Sequence, residues 1–188
     1  KMMGPDGLKR ATEHAIINAN YIATKLSENF TILYTGKSNR VAHELIIDCS
    51  KFKQFNIYVE DIAKRLIDYG FHAPTMSWPV QDTLMIEPTE SESLDECDRF
   101  IEAMNSIYLE IMYIAENDID LENNILKNSP HTIKDLCESP WPHYYSKEEA
   151  IISTDSTKFW PSSSRINNAF GDRNLVCSCP SLSEYTNA

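Results

Sequence analysis

A chain of 188 residues, 42% hydrophobic and 24% charged, has the composition of a globular protein with one good-sized core or at most two small ones. Its formal net charge of −11 opposes binding to nucleic-acid phosphates and to anionic membrane surfaces. No apolar run approaches the roughly 20 residues of a membrane span, and the opening lacks the basic, apolar, small-residue pattern of a secretion leader. From the N-terminus, Gly4-Pro5-Asp6 places a proline at the first helical position with an acid beside it. Leu8, Ala11, Ala15, Ala19, Ile22 and Leu26 then recur every three or four residues, one apolar stripe of a helix about five turns long. So abrupt a helical start reads as a piece of a longer polypeptide or a subunit whose start is missing. Phe30–Tyr34 and Val41–Asp48 read as strands, the second carrying His43 and Glu44, and the short connection through Gly36 to Asn39 suggests a hairpin. On such a strand His43 and Glu44 face opposite sides.

Val59, Ile62, Ala63, Leu66 and Ile67 predict a second amphipathic helix, capped by Gly70. Residues 71–90 hold three prolines (Pro74, Pro79, Pro88) among the polar side chains of His72, Thr75, Ser77 and Glu87. Proline fixes φ and removes a donor, so this segment reads either as a bent pocket wall or as a structured connector. Thr83–Ile86 is a short buried strand. Ser93-x-x-Glu96 is a capping box before a third helix striped by Leu94, Cys97, Ile101, Met104, Tyr108, Ile111 and Ala115. Beyond Asn117 the periodicity fades, and prolines with Trp141 and Trp160 suggest an ordered wrap. The whole predicts an α+β fold with a short antiparallel sheet covered by helices. Residues 1–117 would form the small domain with its leading helix, and residues 118–188 a loop-rich C-terminal extension packed on it.

Cys49, Cys97, Cys137, Cys177 and Cys179 are odd in number and dispersed, which fits a reducing compartment better than a disulfide framework. Cys177 and Cys179 lack the spacing and the second pair of a zinc knuckle, and they stand either as free thiols or as a redox pair. The chain carries no phosphate-binding glycine loop, no nucleophile elbow and no His-Glu-x-x-His, so no catalytic set closes within it. Arg165 and Arg173 each offer a planar fork for a carboxylate or phosphate, or else pair with a local acid such as Asp172. Glu90 and Glu92 sit where they favour the positive end of the third helix.

Several longer motifs stand in order: Met2-Met-Gly-Pro-Asp-Gly-Leu8, Leu33-Tyr-Thr-Gly36, Arg40-Val-Ala-His-Glu44, Asp68-Tyr-Gly-Phe-His-Ala-Pro-Thr-Met-Ser77, Leu84-Met-Ile-Glu-Pro-Thr-Glu-Ser-Glu-Ser93 and Gly171-Asp-Arg-Asn-Leu-Val-Cys-Ser-Cys-Pro180. Together they closely resemble the C-terminal part of the glycine decarboxylase P-protein of the glycine cleavage system, most weakly over residues 116–157. The chain departs from that family's pattern at Asp48-Cys-Ser50, where a basic residue is expected, and at Ser162-Ser163-Ser164, where apolar ones are.

The resemblance implies the small C-terminal domain of an aminotransferase-like, fold type I enzyme dependent on pyridoxal phosphate (PLP). It implies loss of the glycine carboxylate as CO2 and transfer of the aminomethyl group to the lipoyl arm of H-protein. The cofactor lysine of that family lies in a large domain upstream, so the isolated chain is expected to be inactive. Implied partners are that PLP-binding domain or subunit, H-protein, glycine and a dimeric assembly. Carried over residue by residue, the resemblance points to Arg173 or Arg165 near the substrate carboxylate, with His72, Thr75 and Ser77 as wall residues. It also points to Cys177 and Cys179 as a redox gate near the active-site entrance. The implied compartment is the mitochondrial matrix in a eukaryote and the cytoplasm in a bacterium. A partner-binding or regulatory module, the small domain of another PLP-dependent aminotransferase or decarboxylase, and an inactive fragment are the alternatives.

Overall fold

The computed structural model describes residues 2–152 and 158–175. Helix α1 spans Gly4–Leu26, strands β1 and β2 Thr31–Leu33 and Leu45–Asp48, and a 3-10 turn Ser50–Phe55 leads to α2, Val59–Asp68. Strands β3 (Thr75–Met76) and β4 (Thr83–Ile86) precede α3, Leu94–Glu116. Four short helices follow: α4 (Ile125–Asn128), α5 (Ile133–Cys137), α6 (Lys147–Ala150) and α7 (Asn168–Arg173).

The four strands pair antiparallel in the order β1-β2-β4-β3. The register sets Leu45 opposite Ile86 and Ile47 opposite Leu84. Because side chains alternate along a strand, these four share one face. All four are buried and join the core with Ala19, Ile22 and Leu26 of α1, Ile62 and Leu66 of α2, and Cys97, Met104, Ile107 and Ile111 of α3. Three helices therefore cover one face of a small sheet, the α+β arrangement read from the sequence. Phe30, Phe52 and Tyr108 meet edge-to-face at one end of this core, with centroids 5.8 to 6.1 Å apart.

The second and third helices and Thr83–Ile86 fall where the pattern placed them, and Gly70 at φ +78° ends α2 as a left-handed cap. Other details differ for local reasons. The first helix runs 23 residues, more than six turns. The predicted strand Phe30–Tyr34 shrinks to three residues, because Tyr34 takes a positive φ of 57° and leaves the sheet. The predicted strand Val41–Asp48 begins only at Leu45. The Asn20 side chain takes both the Val41 N–H and its carbonyl, at 3.0 and 2.8 Å, which removes Val41 from any ladder. His43 and Glu44 thus lie before the strand, their side chains 4.0 Å apart. At Ser93 only half of the capping box forms: its hydroxyl accepts from the Glu96 N–H, while the Glu96 carboxylate turns to Arg99. Leu94, read as part of the buried stripe, is exposed.

Within the loop-rich extension, the described residues 118–152 and 158–175 hold short helices. Each starts on a side-chain cap: Asn124 accepts from Leu126 and Lys127, Thr132 from Asp135, Ser146 from Glu149 and Asn167 from Phe170.

Packing sets the stability of α3 position by position. Ile107 is fully buried and Leu109, two residues on, is 66% exposed. Chemical denaturation should show Ile107→Ala costing about 2–5 kcal/mol and Leu109→Ala less than about 0.5 kcal/mol.

Candidate functional site

Two regions concentrate polar side chains. The first is the wall at residues 71–88. Its cleft, about 380 Å³, is lined by Phe71, His72, Pro74, Thr75, Met85, Glu87, Glu92, Glu96, Cys97 and Phe100 among others. His72 and Thr75 therefore open onto one cleft with Glu87. His72 is exposed, and its Nδ1 lies 3.0 Å from the Ala73 carbonyl. Ser77 instead shapes the turn between β3 and β4: it has φ +55°, its N–H donates to the Thr83 carbonyl at 2.8 Å, and its hydroxyl accepts from the Asp82 N–H. The floor is apolar and the rim is acidic. Arg99 lies against it, its guanidinium 3.7 Å from the Phe71 ring centroid and bidentate to Glu96. With three carboxylates and one imidazole, this cleft favours neutral or cationic groups over anions.

The second region was not foreseen. Asp61, Lys64, Arg65 and Asp68 recur at helical spacing on the face of α2 turned from the core, and all four are buried. Arg65, 1% exposed, donates to Glu110 from Nε and Nη2 at 3.0 and 2.6 Å, to Asp68 at 3.0 Å and to the Glu149 carbonyl at 3.1 Å. Asp68 accepts from the His131 N–H at 2.7 Å, and its other oxygen lies 2.8 Å from His131 Nδ1. His131 Nε2 is 2.7 Å from the Tyr145 hydroxyl. The run Arg65–Asp68–His131–Tyr145 thus crosses from α2 to the segments around α5 and α6. Asp61 takes Lys127 at 2.8 Å and also pairs with Arg165, while Lys64 donates to the Ile166 carbonyl. A cleft of about 730 Å³ opens beside Arg65, Glu110 and Tyr145, walled by Tyr69, Leu109, Tyr113 and Tyr144.

The electrostatics follow from burial and partners. Burial pushes the Asp68 carboxyl up, but the His131 hydrogen bond and the Arg65 charge outweigh it and hold it below the usual carboxylate range. Burial and the Glu110 charge push the Tyr69 phenol up to about 12, and burial pushes Tyr145 up as well. Burial lowers the Lys158 ammonium, whose Nζ lies 4.6 Å over the Trp160 ring and has no hydrogen-bond partner among the described residues.

The two arginines separate. Arg165 is committed to Asp61 and to the Leu126 carbonyl at 3.1 Å. Arg173, in the last turn of α7, is exposed and makes no ion pair among the described residues. Cys177 and Cys179 lie outside the described residues. Among the described residues no cluster of three or more His, Cys, Asp or Glu side chains is gathered for a metal ion, and no helix is long and apolar enough to cross a membrane.

Comparison with known proteins adds to this geometry. The family described as glycine dehydrogenase, C-terminal domain, matches residues 11–131. Curated relatives named glycine dehydrogenase (decarboxylating) include one from Christiangramia forsetii, 54% identical over 100% of this chain. Others come from a Nostoc species, 55% identical over 98%, and Bdellovibrio bacteriovorus, 54% identical over 98%. The chain spans about a fifth of the length of these relatives, at 20%, 19% and 20%.

The depressed Asp68 carboxyl has a pH consequence. A carboxyl lowered in the folded state binds fewer protons there than when unfolded, so its contribution is present above the unfolded value of about 3.9 and is lost as pH falls through the folded value. Denaturation midpoints measured from pH 7 to pH 2 should therefore drop in acid, and Asp68→Asn should flatten part of that drop while lowering the midpoint at pH 7.

Proposed function

The chain belongs to the glycine dehydrogenase C-terminal domain family, and we propose from that premise that it is the small C-terminal domain of a glycine-decarboxylating enzyme of fold type I. The observation that carries this reading is the family match over residues 11–131. The intact enzyme releases the glycine carboxylate as CO2 and passes the aminomethyl group to the lipoyl arm of H-protein. We read residues 1–117 as the domain proper and the rest of the chain as its C-terminal extension, of which residues 118–152 and 158–175 are described.

The cofactor, PLP, supplies the electron sink for decarboxylation. The described residues do not fit it. A phosphate calls for cations or free backbone donors, yet the wall cleft is lined by Glu87, Glu92 and Glu96. The Lys64 and Lys127 ammonium groups are held in ion pairs, and the Lys158 ammonium lies over the Trp160 ring. The reading assigns PLP to the upstream part of the enzyme, as the family resemblance implies, and takes this chain alone to be inactive.

What the chain contributes is shape and charge beside the substrate. Arg173 is the carboxylate fork, supported by its exposure and its lack of an ion pair among the described residues. Arg165 positions the segment that leads to α7 through its hold on Asp61. His72 and Thr75 are wall residues of the acid-rimmed cleft, and Ser77 fixes the turn behind it. H-protein, a dimeric assembly and a cytoplasmic or mitochondrial setting complete the reading. Cys177 and Cys179, outside the described residues, are read as a redox pair that gates the H-protein arm, and equal activity under oxidising and reducing conditions would remove that role.

The test follows exchange of the glycine carboxyl with labelled bicarbonate. This chain alone should show none. Mixed with a matching PLP-binding large domain and H-protein, it should restore exchange. Association without exchange would leave a binding module as the better reading. In the active assembly Arg173→Ala should raise the apparent KM for glycine at least about tenfold, the scale of one lost charge-assisted contact. An unchanged KM would remove Arg173 from the site.

A further inference from the structure

We propose that the N-terminal half of α1 is the surface on which the rest of the enzyme docks. This rests on the reading of the chain as one domain of a larger enzyme. The apolar stripe of α1 is continuous, but the domain buries only its second half, at Ala19, Ile22, Ala23 and Leu26. From Met2 to Asn18 no residue is buried. The anchors show where the support stops. Asn18 donates to the Thr89 and Glu92 carbonyls, Tyr21 to Asp98, and Asn29 to Asn105. These pairings make α1 parallel to α3 and bring the first residue of α3, Leu94, level with Ile17. The helix before that point, about 20 Å long, lies beyond the end of α3.

On this projecting half Gly4, Gly7, Leu8, Ala11 and Ala15 fall on the same side as Ala19, Ile22 and Leu26, while Asp6, Lys9, Arg10 and Glu13 take the opposite side. Leu8 is 61% exposed. The small residues let a partner backbone approach closely, and the leucine offers an apolar anchor. Among the described residues the hydrogen bonds of this half are its own, with Thr12 Oγ1 donating to the Leu8 carbonyl. This half propagates from a packed helix yet buries no side chain against the domain, so its apolar side is left for a cover. The occupant is the polypeptide that makes up the other four-fifths of the relatives' length. Its docking face is an apolar surface that receives a small-residue helix.

Hydrogen exchange read by mass spectrometry tests this on the chain alone and in the assembled enzyme. Amides of residues 5–17 should exchange quickly in the chain alone, while those of residues 19–26 stay protected. In the assembled enzyme the first set should slow at least about tenfold. Ala11→Glu should leave melting of the chain alone unmoved and abolish the slowing. Unchanged exchange on assembly overturns the proposal. So does protection already present in the chain alone, which would assign the face to a second copy or to residues 176–188. Carboxyl exchange measured on the same assembled sample separates the two readings. Activity without protection of α1 removes only the docking surface, and protection without activity removes only the catalytic assignment.

Discussion

The fold of this chain depends on a helix that is buried on two sides. One side of α2, through Val59, Ile62, Ala63 and Leu66, faces the apolar core. The other presents Asp61, Lys64, Arg65 and Asp68, and these too are shut off from solvent. A buried charge is tolerated only when it is paired and hydrogen-bonded. Here the pairing is complete: Lys64 meets Glu60, Arg65 meets Glu110 and Asp68, and Asp61 meets Lys127 and Arg165. His131 supplies the second oxygen of Asp68 with its donor.

This arrangement explains how a segment with little regular structure stays ordered. The short helices after α3 bury few apolar side chains, and α5 and α7 bury none. Their positions are set instead by directional contacts. Arg65 reaches the Glu149 carbonyl, Lys64 the Ile166 carbonyl, and Ser164 donates to Asp135. Replacing such a network by apolar residues is often neutral for stability, but removing one partner leaves a charge stranded at a cost of about 3–5 kcal/mol. The network thus acts more as a latch of fixed register than as a general source of stability. Through Arg165 it holds the approach to α7, and so the placement of Arg173.

Some of this was legible in the sequence. The three-four spacing of Ile62, Ala63 and Leu66 and of Cys97, Ile101, Met104 and Ile111 marks helices because a core-facing stripe is a local property. The Asp68–Ser77 and Leu84–Ser93 motifs carry the family. What escaped is non-local. The charged side of α2 reads as a solvated face, and only the return of residues 124–152 and 158–166 over it makes it interior. A signal was present, since Asp61, Lys64, Arg65 and Asp68 put two acids and two bases on one side of a ten-residue helix. The capping boxes at Thr132-x-x-Asp135 and Ser146-x-x-Glu149 were equally readable and would have divided the predicted wrap into helices. The late start of the predicted strand, at Leu45 instead of Val41, was not readable, because it depends on Asn20 reaching across 21 positions.

The measurement that tests the latch most directly is hydrogen exchange of the chain carrying Arg65→Met, which removes the charge while keeping most of the side-chain volume. Amides of residues 125–150 should exchange much faster than in the unaltered chain, while Leu45–Asp48 and Thr83–Ile86 of the sheet keep their protection. Unchanged exchange across residues 125–150 would show that the extension is held by something other than Arg65 and its carboxylates, and would contradict the account.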